Sequence, residues 1–478
     1  MSTQHGKDWY DFVVIGSGPA GQKAAVEAAK AGRRVLVIEQ DRSVGGICVH
    51  RGTIPSKALR ETTQVLRRYQ ERLRDDHPDR AKGATSLNEL MDRVGGVIDA
   101  HVRYMSKQLE ANQVEVAHGR GKLVGQHEVE ILAPRGDRRR VQAEWIVIAA
   151  GSKPRRPNNV PIDHEHILDS DSILSMTYLP ESLVVLGGGV IASEYGSIFA
   201  ALGVRVTMID RAPRPLSFMD PELTERFLQR FATYSGTYIG NDAAAAVEWN
   251  GFDSVSVTTE AGVQLKAEKL FSALGRVAAV DRLGIESVGL EPNSRGHLAV
   301  NDHCQTSVHN IYAVGDVIGP PSLASSSAEQ GRRAVLHALG APEGPPPHLI
   351  PVGIYSIPEM ASVGLTEEEA RKQNGEVVVG RAQFDELARA QISGETDGLL
   401  KLVADGTTGR ILGVHIVGEG STELVHVGQM GLLSGCSVDV FTDHIFNFPT
   451  LAEGYRTAAL EIAEVLAERK LGEHRLAA

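Results

Sequence analysis

Apolar and polar positions fall into blocks along this chain, and one arrangement of blocks occurs twice. The apolar run Phe12-Val-Val-Ile15 leads into a glycine turn, Gly16-Ser17-Gly18-Pro19-Ala20-Gly21, then an alanine-rich stretch and a second apolar run, Val35-Leu-Val-Ile38. Further on, Leu183-Val-Val-Leu186 leads into Gly187-Gly188-Gly189-Val190-Ile191-Ala192, and Val206-Thr-Met-Ile209 closes that copy. Short, continuous apolar runs predict strands buried on both faces, as in a parallel sheet. Ala20–Ala31 predicts a helix, stopped by Gly32 where a left-handed turn is needed. Each copy ends on an acid, Glu39 or Asp210, at the same distance from its first glycine, 39 − 16 and 210 − 187.

Strand, glycine turn, helix and strand, with an acid about 20 residues on, is an arrangement that binds a dinucleotide. The first glycine permits the tight turn, the second lets backbone approach a pyrophosphate, and a small third residue lets helix pack on strand. The helix N-terminus favours the phosphate charge, and the acid takes ribose hydroxyls. Gly16, Gly18, Gly21 and Glu39 are candidates for one nucleotide. Gly187, Gly189, Val190, Ile191 and Asp210 are candidates for another. Asp210 favours the free ribose diol of NAD, while Arg211 and Arg214 could offset a 2′-phosphate and admit NADP as well.

Elsewhere the pattern is less regular. Asp75–Lys82 reads as a charged loop, and Ser86-Leu-Asn-Glu89 has capping-box spacing before an amphipathic helix to about Asn112. Val114–Val116, Lys122–Val124, Glu128–Leu132 and Val141–Glu144 predict a small antiparallel meander. Beyond a linker, Gly344-Pro-Pro-Pro-His348, strands are expected at Val352–Ile357, Glu376–Gln383, Gly398–Ala404 and Ile411–Val417. Helices are expected at Thr422–Leu433 and Leu451–Glu468.

Composition narrows the function classes. A formal net charge of −11 over 478 residues argues against nucleic-acid binding, which needs a basic face. The one basic cluster, Arg135–Arg140, reads as a solvated hairpin tip. No apolar run is long enough to cross a bilayer, and the polar Met1–Tyr10 does not resemble a leader, so a cytoplasmic location is expected. Cys48, Cys304 and Cys436 match neither a disulfide framework nor a zinc spacing, and no metal is expected.

The most specific stretch is Gly45-Gly46-Ile47-Cys48-Val49-His50-Arg51-Gly52-Thr53-Ile54-Pro55-Ser56-Lys57, leading into a helix from about Ala58. It resembles the flavin-contacting segment of the pyridine nucleotide–disulfide oxidoreductases. Trp145–Gly151-Ser-Lys-Pro, Ser272-Ala-Leu-Gly275-Arg276 and Ile311-Tyr-Ala-Val-Gly315-Asp316 resemble other turns of that family. The resemblance implies an α/β fold, glutathione reductase-like, with two Rossmann-like dinucleotide-binding domains and a C-terminal α+β dimerisation domain. FAD would be held by 1–155 and 277–348, NAD or NADP by 156–276, and a second copy of the chain by 349–478.

For FAD the resemblance implies contacts from Gly45, Gly46, Cys48, Thr53, Lys57, Gly121, Gly151 and Asp316. Ser322, Leu323, Ala324 and Ser325 lead into a helix expected at Ala328–Leu339, whose N-terminus would face the flavin. Gly275 would close the second nucleotide site. Lys57 and Glu194 match an ion pair beside the flavin nitrogen that accepts hydride, where a cation favours the reduced cofactor.

Two departures from the family matter. Thr53 stands where disulfide-using members carry a second cysteine, so Cys48 has no partner in sequence and reads as a packing residue. Phe448, in Phe446-Asn-Phe448-Pro449-Thr450, stands where those members carry a histidine paired with the acid matched by Glu453. The implied activity is therefore ping-pong hydride transfer, NADPH + NAD+ ⇌ NADP+ + NADH, through FAD and without a thiol relay. An NAD(P)H:quinone reductase and a flavin-bound redox sensor remain as alternatives. The expected partners are small nucleotides and copies of the chain, as a homodimer or higher homo-oligomer.

Overall fold

The computed structural model describes residues 8–76 and 87–477. Both repeats fold as parallel strands around a glycine turn. In the first sheet Glu115–His118, Val35–Glu39, Trp9–Ile15 and Arg138–Ile148 lie side by side in parallel, and Ile311–Ala313 pairs in parallel with Arg138–Ile148. The reason for the unbroken apolar run is visible in its two faces. Val13 and Ile15 enter one core with Leu36 and Ile38, while Phe12 and Val14 enter another with Ala24, Ala25 and Val37. Burial on both faces removes the need for alternation.

Helices Pro19–Lys30 and Ala324–Ala338 pack closely over this sheet. Gly331 makes the approach possible: a Cβ there would lie 2.2 Å from the carbonyl oxygen of Ala20. Through this contact the segment after Ile311–Ala313 is brought against the first glycine turn, more than 290 residues earlier in sequence, 315 − 20.

The second repeat forms a five-stranded parallel sheet in the order Thr237–Ile239, Arg205–Ile209, Ser182–Leu186, Lys269–Ser272, Ile167–Asp169. A three-stranded antiparallel sheet, Ala244–Trp249, Val255–Thr259 and Gln264–Ala267, stands beside it. Ser152–Pro154 pairs with Arg276–Ala278 where the chain passes between the two parallel sheets. The last sheet is antiparallel, from Val352–Ile354 through Met360–Gly364, Ile411–Val417 and Leu399–Asp405 to Val377–Gln383. It carries helices Ser421–Leu433 and Glu453–Ala477.

Several local expectations change. Glu115–His118 is not part of a meander; it extends the first parallel sheet, because its partner is Val35–Glu39. Val141–Glu144 is the first half of one strand, Arg138–Ile148, that leaves the antiparallel edge and continues into the parallel core. The helix expected from Ala58 begins at Thr53. Pro55 falls in its first turn, where a missing N–H costs nothing. The helix expected from Ala328 begins at Ala324, so Ser322 and Leu323 immediately precede it. The last helix begins at Glu453 rather than Leu451. The turn at Ala133–Asp137 does form a hairpin tip, with Arg138 and Arg140 beside Glu130 and Glu128 on the strand opposite. Of the loop expected at Asp75–Lys82, Asp75 and Asp76 instead end helix Thr53–Asp76, and the rest, with Ser86 of the expected capping box, lies outside the described residues.

Candidate active site

The two glycine turns repeat each other in atomic detail. Gly16 N–H donates to Ile38 O at 2.8 Å, and Gly187 N–H donates to Ile209 O at 2.8 Å. Both glycines have left-handed φ, +105° and +114°, and a Cβ would lie 2.3 Å from Ala149 O in one and 2.6 Å from Ala273 O in the other. Only glycine fits either position. Gly18 and Gly189 precede the helices Pro19–Lys30 and Val190–Ala201, and neither helix start has a side-chain cap. The space a Cβ would occupy at either glycine is open. Two helix N-termini with donors free of side chains and with room above them suit a pyrophosphate. At the third position Gly21 is tight against Gly16 O, whereas Ala192 is fully buried in the second copy.

The acids also behave alike. Glu39 accepts from the backbone N–H of Ser17 at 3.0 Å, from its hydroxyl, and from Asp41 N–H at 2.9 Å. Asp210 accepts from Gly188 N–H at 2.6 Å and Ala212 N–H at 2.7 Å. Each carboxylate is thus fixed at the mouth of its own glycine turn before any ligand arrives.

Around the first turn the structure assembles most of the flavin candidates. Gly45 N–H donates to Ser17 Oγ at 2.9 Å, and Gly46 packs so closely on Gly18 that a Cβ would meet its Cα at 3.0 Å. Cys48 lies in the short helix Gly46–His50 and Thr53 begins the helix Thr53–Asp76, which places the Thr53 side chain beside the Cys48 sulfur. Burial pushes the Cys48 thiol above its ordinary pKa, against the opposing pull of Thr53 and the Lys57 cation. A thiol in that state is protonated and a poor nucleophile at neutral pH. Cys48, Cys304 and Cys436 are all free.

Lys57 and Glu194 meet across 137 positions. The Lys57 ammonium lies 2.7 and 2.6 Å from the two Glu194 oxygens, and Glu194 is nearly fully buried while a quarter of the Lys57 side chain is exposed. Tyr355, which sequence reasoning missed, completes the group. Its backbone N–H donates to Glu194 Oε1 at 3.0 Å, and its ring lies 4.9 Å from Lys57 Nζ. It comes from a third part of the chain and belongs to no motif, so nothing in the sequence marked it.

Asp316 sits just after Gly315, whose φ is +78° and whose N–H is held by Gln330 at 2.8 Å. Ser152 Oγ donates to Asp316 Oδ2 at 2.7 Å. Arg276 donates to Ser152 Oγ at 2.8 Å and Ser152 O at 2.9 Å, and reaches Ser170 Oγ at 2.7 Å and Asp171 at 3.3 Å. Because Arg276 is only a donor, the Ser152 hydrogen is left to point at Asp316. Gly121 is buried against Ile15 and Ile38, and Gly151 and Gly275 occupy left-handed turns with open space beside them. Leu323 occupies the cap position of helix Ala324–Ala338, with Ser322 before it and Ser325 in the first turn.

The remaining candidates lie apart from this group. Arg211 is exposed and ion-pairs with Glu260. Arg214 is engaged by its own loop and the helix that follows, donating to Met219 O at 3.0 Å, Ser217 O at 3.2 Å and Thr224 Oγ1 at 3.2 Å. Glu453 accepts from Thr450 N–H at 3.2 Å at its own helix start, and Phe448 nearby is 69% exposed. One cluster with metal-ligand groups occurs among the described residues, His303, His337 and Glu343, but Glu343 is already paired with Arg333 at 3.0 Å.

Residues 10–331 match the model for pyridine nucleotide-disulphide oxidoreductase, and residues 350–459 match that family's dimerisation domain. The chain is 42% identical over 454 residues to a soluble pyridine nucleotide transhydrogenase of Mycobacterium tuberculosis, covering 95% of this chain and 97% of that one. It is 42% identical over 474 residues to the protein of that name in Marinomonas sp., covering 96% and 98%. Among solved structures it resembles the HOCl-induced flavoprotein disulfide reductase RclA of Escherichia coli, with a TM-score of 0.85 at 27% identity, covering 94% and 99% of the two chains. LpdA of Mycobacterium tuberculosis gives a TM-score of 0.85 at 28% identity, covering 94% and 99%.

Proposed function

Because the chain belongs to the pyridine nucleotide-disulphide oxidoreductase family, whose members use FAD and NAD(P), we propose that it passes hydride from NADPH to NAD+ without a redox disulfide. FAD would occupy 1–155 with 277–348, NADPH and NAD+ would use 156–276 in turn, and 349–478 would join two copies. When bound, the flavin supplies a two-electron carrier that takes hydride from one nicotinamide and yields it to another.

The fit of the cofactors rests on the two uncapped helix starts, the open space at Gly18 and Gly189, and the acids already fixed at Glu39 and Asp210. The chain's own residues then do three things. Gly16, Gly18 and the start of helix Pro19–Lys30 hold a pyrophosphate by backbone donors. Ser152, locked by Arg276, keeps Asp316 aimed. Lys57, oriented by Glu194 and Tyr355, places a positive charge that favours uptake of hydride. No side chain needs to act as acid or base, because orientation carries most of the rate.

The observation that carries the reading is that the side chain beside the Cys48 sulfur is Thr53, and that Cys48, Cys304 and Cys436 are all free, so no second thiol stands there to receive electrons. The resemblance to proteins named soluble pyridine nucleotide transhydrogenase supports it. The test is to mix the purified holoenzyme with NADPH and thio-NAD+ and no other acceptor. Reduced thio-NAD should form at on the order of ten turnovers per second. Rapid flavin reduction without transfer, followed by fast oxidation by a quinone, would overturn the reading in favour of a quinone reductase.

A further inference from the structure

A single nucleotide site that serves both NADPH and NAD+ faces a contradiction at the adenosine ribose. A fixed cation there favours the 2′-phosphate and an acid favours the free diol. Asp210 is the acid, held by Gly188 N–H. Arg211, the next residue, is the cation, and its guanidinium is already occupied by Glu260. Arg214 is committed to two carbonyls of its own loop and to the Thr224 hydroxyl of the helix that follows.

Glu260 is held beside Asp210 by its backbone while its carboxylate lies exposed to solvent. It lies on the turn after Val255–Thr259, and its N–H donates to Ala243 O at 2.8 Å. Asp242 anchors the same turn: its carboxylate accepts from Ala243 N–H at 2.8 Å and Ala261 N–H at 3.1 Å, and its own N–H donates to Asp210 O at 3.2 Å. The backbone of the Glu260 turn is therefore tied to the backbone of Asp210. The ion pair itself is exposed, 74% at Arg211 and 52% at Glu260, and an exposed pair of this kind contributes little and is easily exchanged.

Resting on the transhydrogenase reading, we propose that Glu260 is an exchangeable counter-ion that sets the balance between the two nucleotides. With NAD+ bound, the Arg211–Glu260 pair stays closed and the ribose diol faces Asp210. A 2′-phosphate carries more charge than a carboxylate and suits the guanidinium fork better, so NADPH displaces Glu260 from Arg211. The displaced carboxylate then repels the phosphate, which keeps NADP+ from binding so tightly that NAD+ cannot replace it. No covalent step is involved.

The experiment is equilibrium binding of NADP+ and NAD+ to wild-type, Glu260→Gln, Arg211→Gln and doubly substituted holoenzyme, with steady-state transhydrogenation measured in parallel. Glu260→Gln should tighten NADP+ by about three- to fivefold and move NAD+ by less than about twofold. Its KM for NADPH should fall, and kcat should fall with it as NADP+ release slows. Arg211→Gln should weaken NADP+ selectively, and most of the Glu260→Gln gain should vanish in that background. Equal effects on both nucleotides, or none, would overturn the exchange while leaving transhydrogenation standing. A selective NADP+ gain in a protein that does not transfer hydride to thio-NAD+ would retain the role of Glu260 and overturn the transhydrogenase reading instead.

Discussion

Lys57 shows how much a single charge depends on residues that do not themselves react. It is gripped by both oxygens of Glu194, and the carboxylate is aimed by the backbone of Tyr355, whose ring also faces the ammonium. A buried carboxylate beside a half-open cation leaves the positive field directed toward the open side. If Lys57 serves the flavin as proposed, Lys57→Met should move the flavin midpoint potential to more negative values and slow hydride uptake on the order of a hundredfold. A dye-equilibrated redox titration reads the first effect and stopped-flow bleaching by NADPH the second. Lys57→Arg should restore much of the potential, and an unchanged potential in Lys57→Met would remove the tuning role. At this scale the sequence displayed Lys57 and Glu194 through their motifs, but Tyr355 lies in no motif, and the part played by Ser152 within its turn became visible only through its hydrogen bonds.

Helix Pro221–Thr233 illustrates the scale of elements, because its first turn is welded to the C-terminal sheet. Lys401, on the strand Leu399–Asp405, is 2% exposed and reaches the fully buried Asp220 at 3.0 Å, Glu222 at 2.8 Å and Glu367 at 2.8 Å. Arg381, on the neighbouring strand, also clasps Glu222, at 2.9 Å through Nε. Arg381 thus joins helix Pro221–Thr233 to the last sheet. Arg381 and Lys401 together hold Glu222 down at about 2, from 4.5. A depressed acid stabilises the fold above its unfolded value, so this contribution is full above about pH 4.5 and is lost as pH falls toward 2. Allowing for solvent screening it is on the order of 1–2 kcal/mol. Lys401→Met leaves Asp220 buried without its cation and should cost about 3–5 kcal/mol, read by denaturant unfolding at neutral pH. The acid-dependent loss between pH 4.5 and 2 should also shrink in that variant, and an unchanged acid limb would show that Glu222 is not a linkage group.

The whole molecule presents an apolar surface that one chain does not cover. Val427, Met430 and Leu433 are exposed along helix Ser421–Leu433, with Ile445 98% and Phe448 69% exposed on the loop that follows. This surface lies in the region matched by the dimerisation domain. If 349–478 joins two copies as proposed, Ile445→Asp should give a monomer in sedimentation velocity where the unsubstituted chain gives a dimer, without lowering the thermal midpoint by more than a few degrees, and a dimer in that variant would place the interface elsewhere. No described helix is long and apolar enough to cross a membrane. The sequence by itself determined the repeated strand–turn–helix units, because steric limits at Gly16 and Gly187 and burial of both strand faces act over neighbouring residues. It also carried, through the change from cysteine to Thr53, the argument against a thiol relay. Only the tertiary structure decided that Glu115–His118 joins the parallel sheet, that Tyr355 aims Glu194, and that Glu260 pairs with Arg211. Those contacts join residues far apart in sequence, and their energies depend on packing and distance, which no local pattern of residue types encodes.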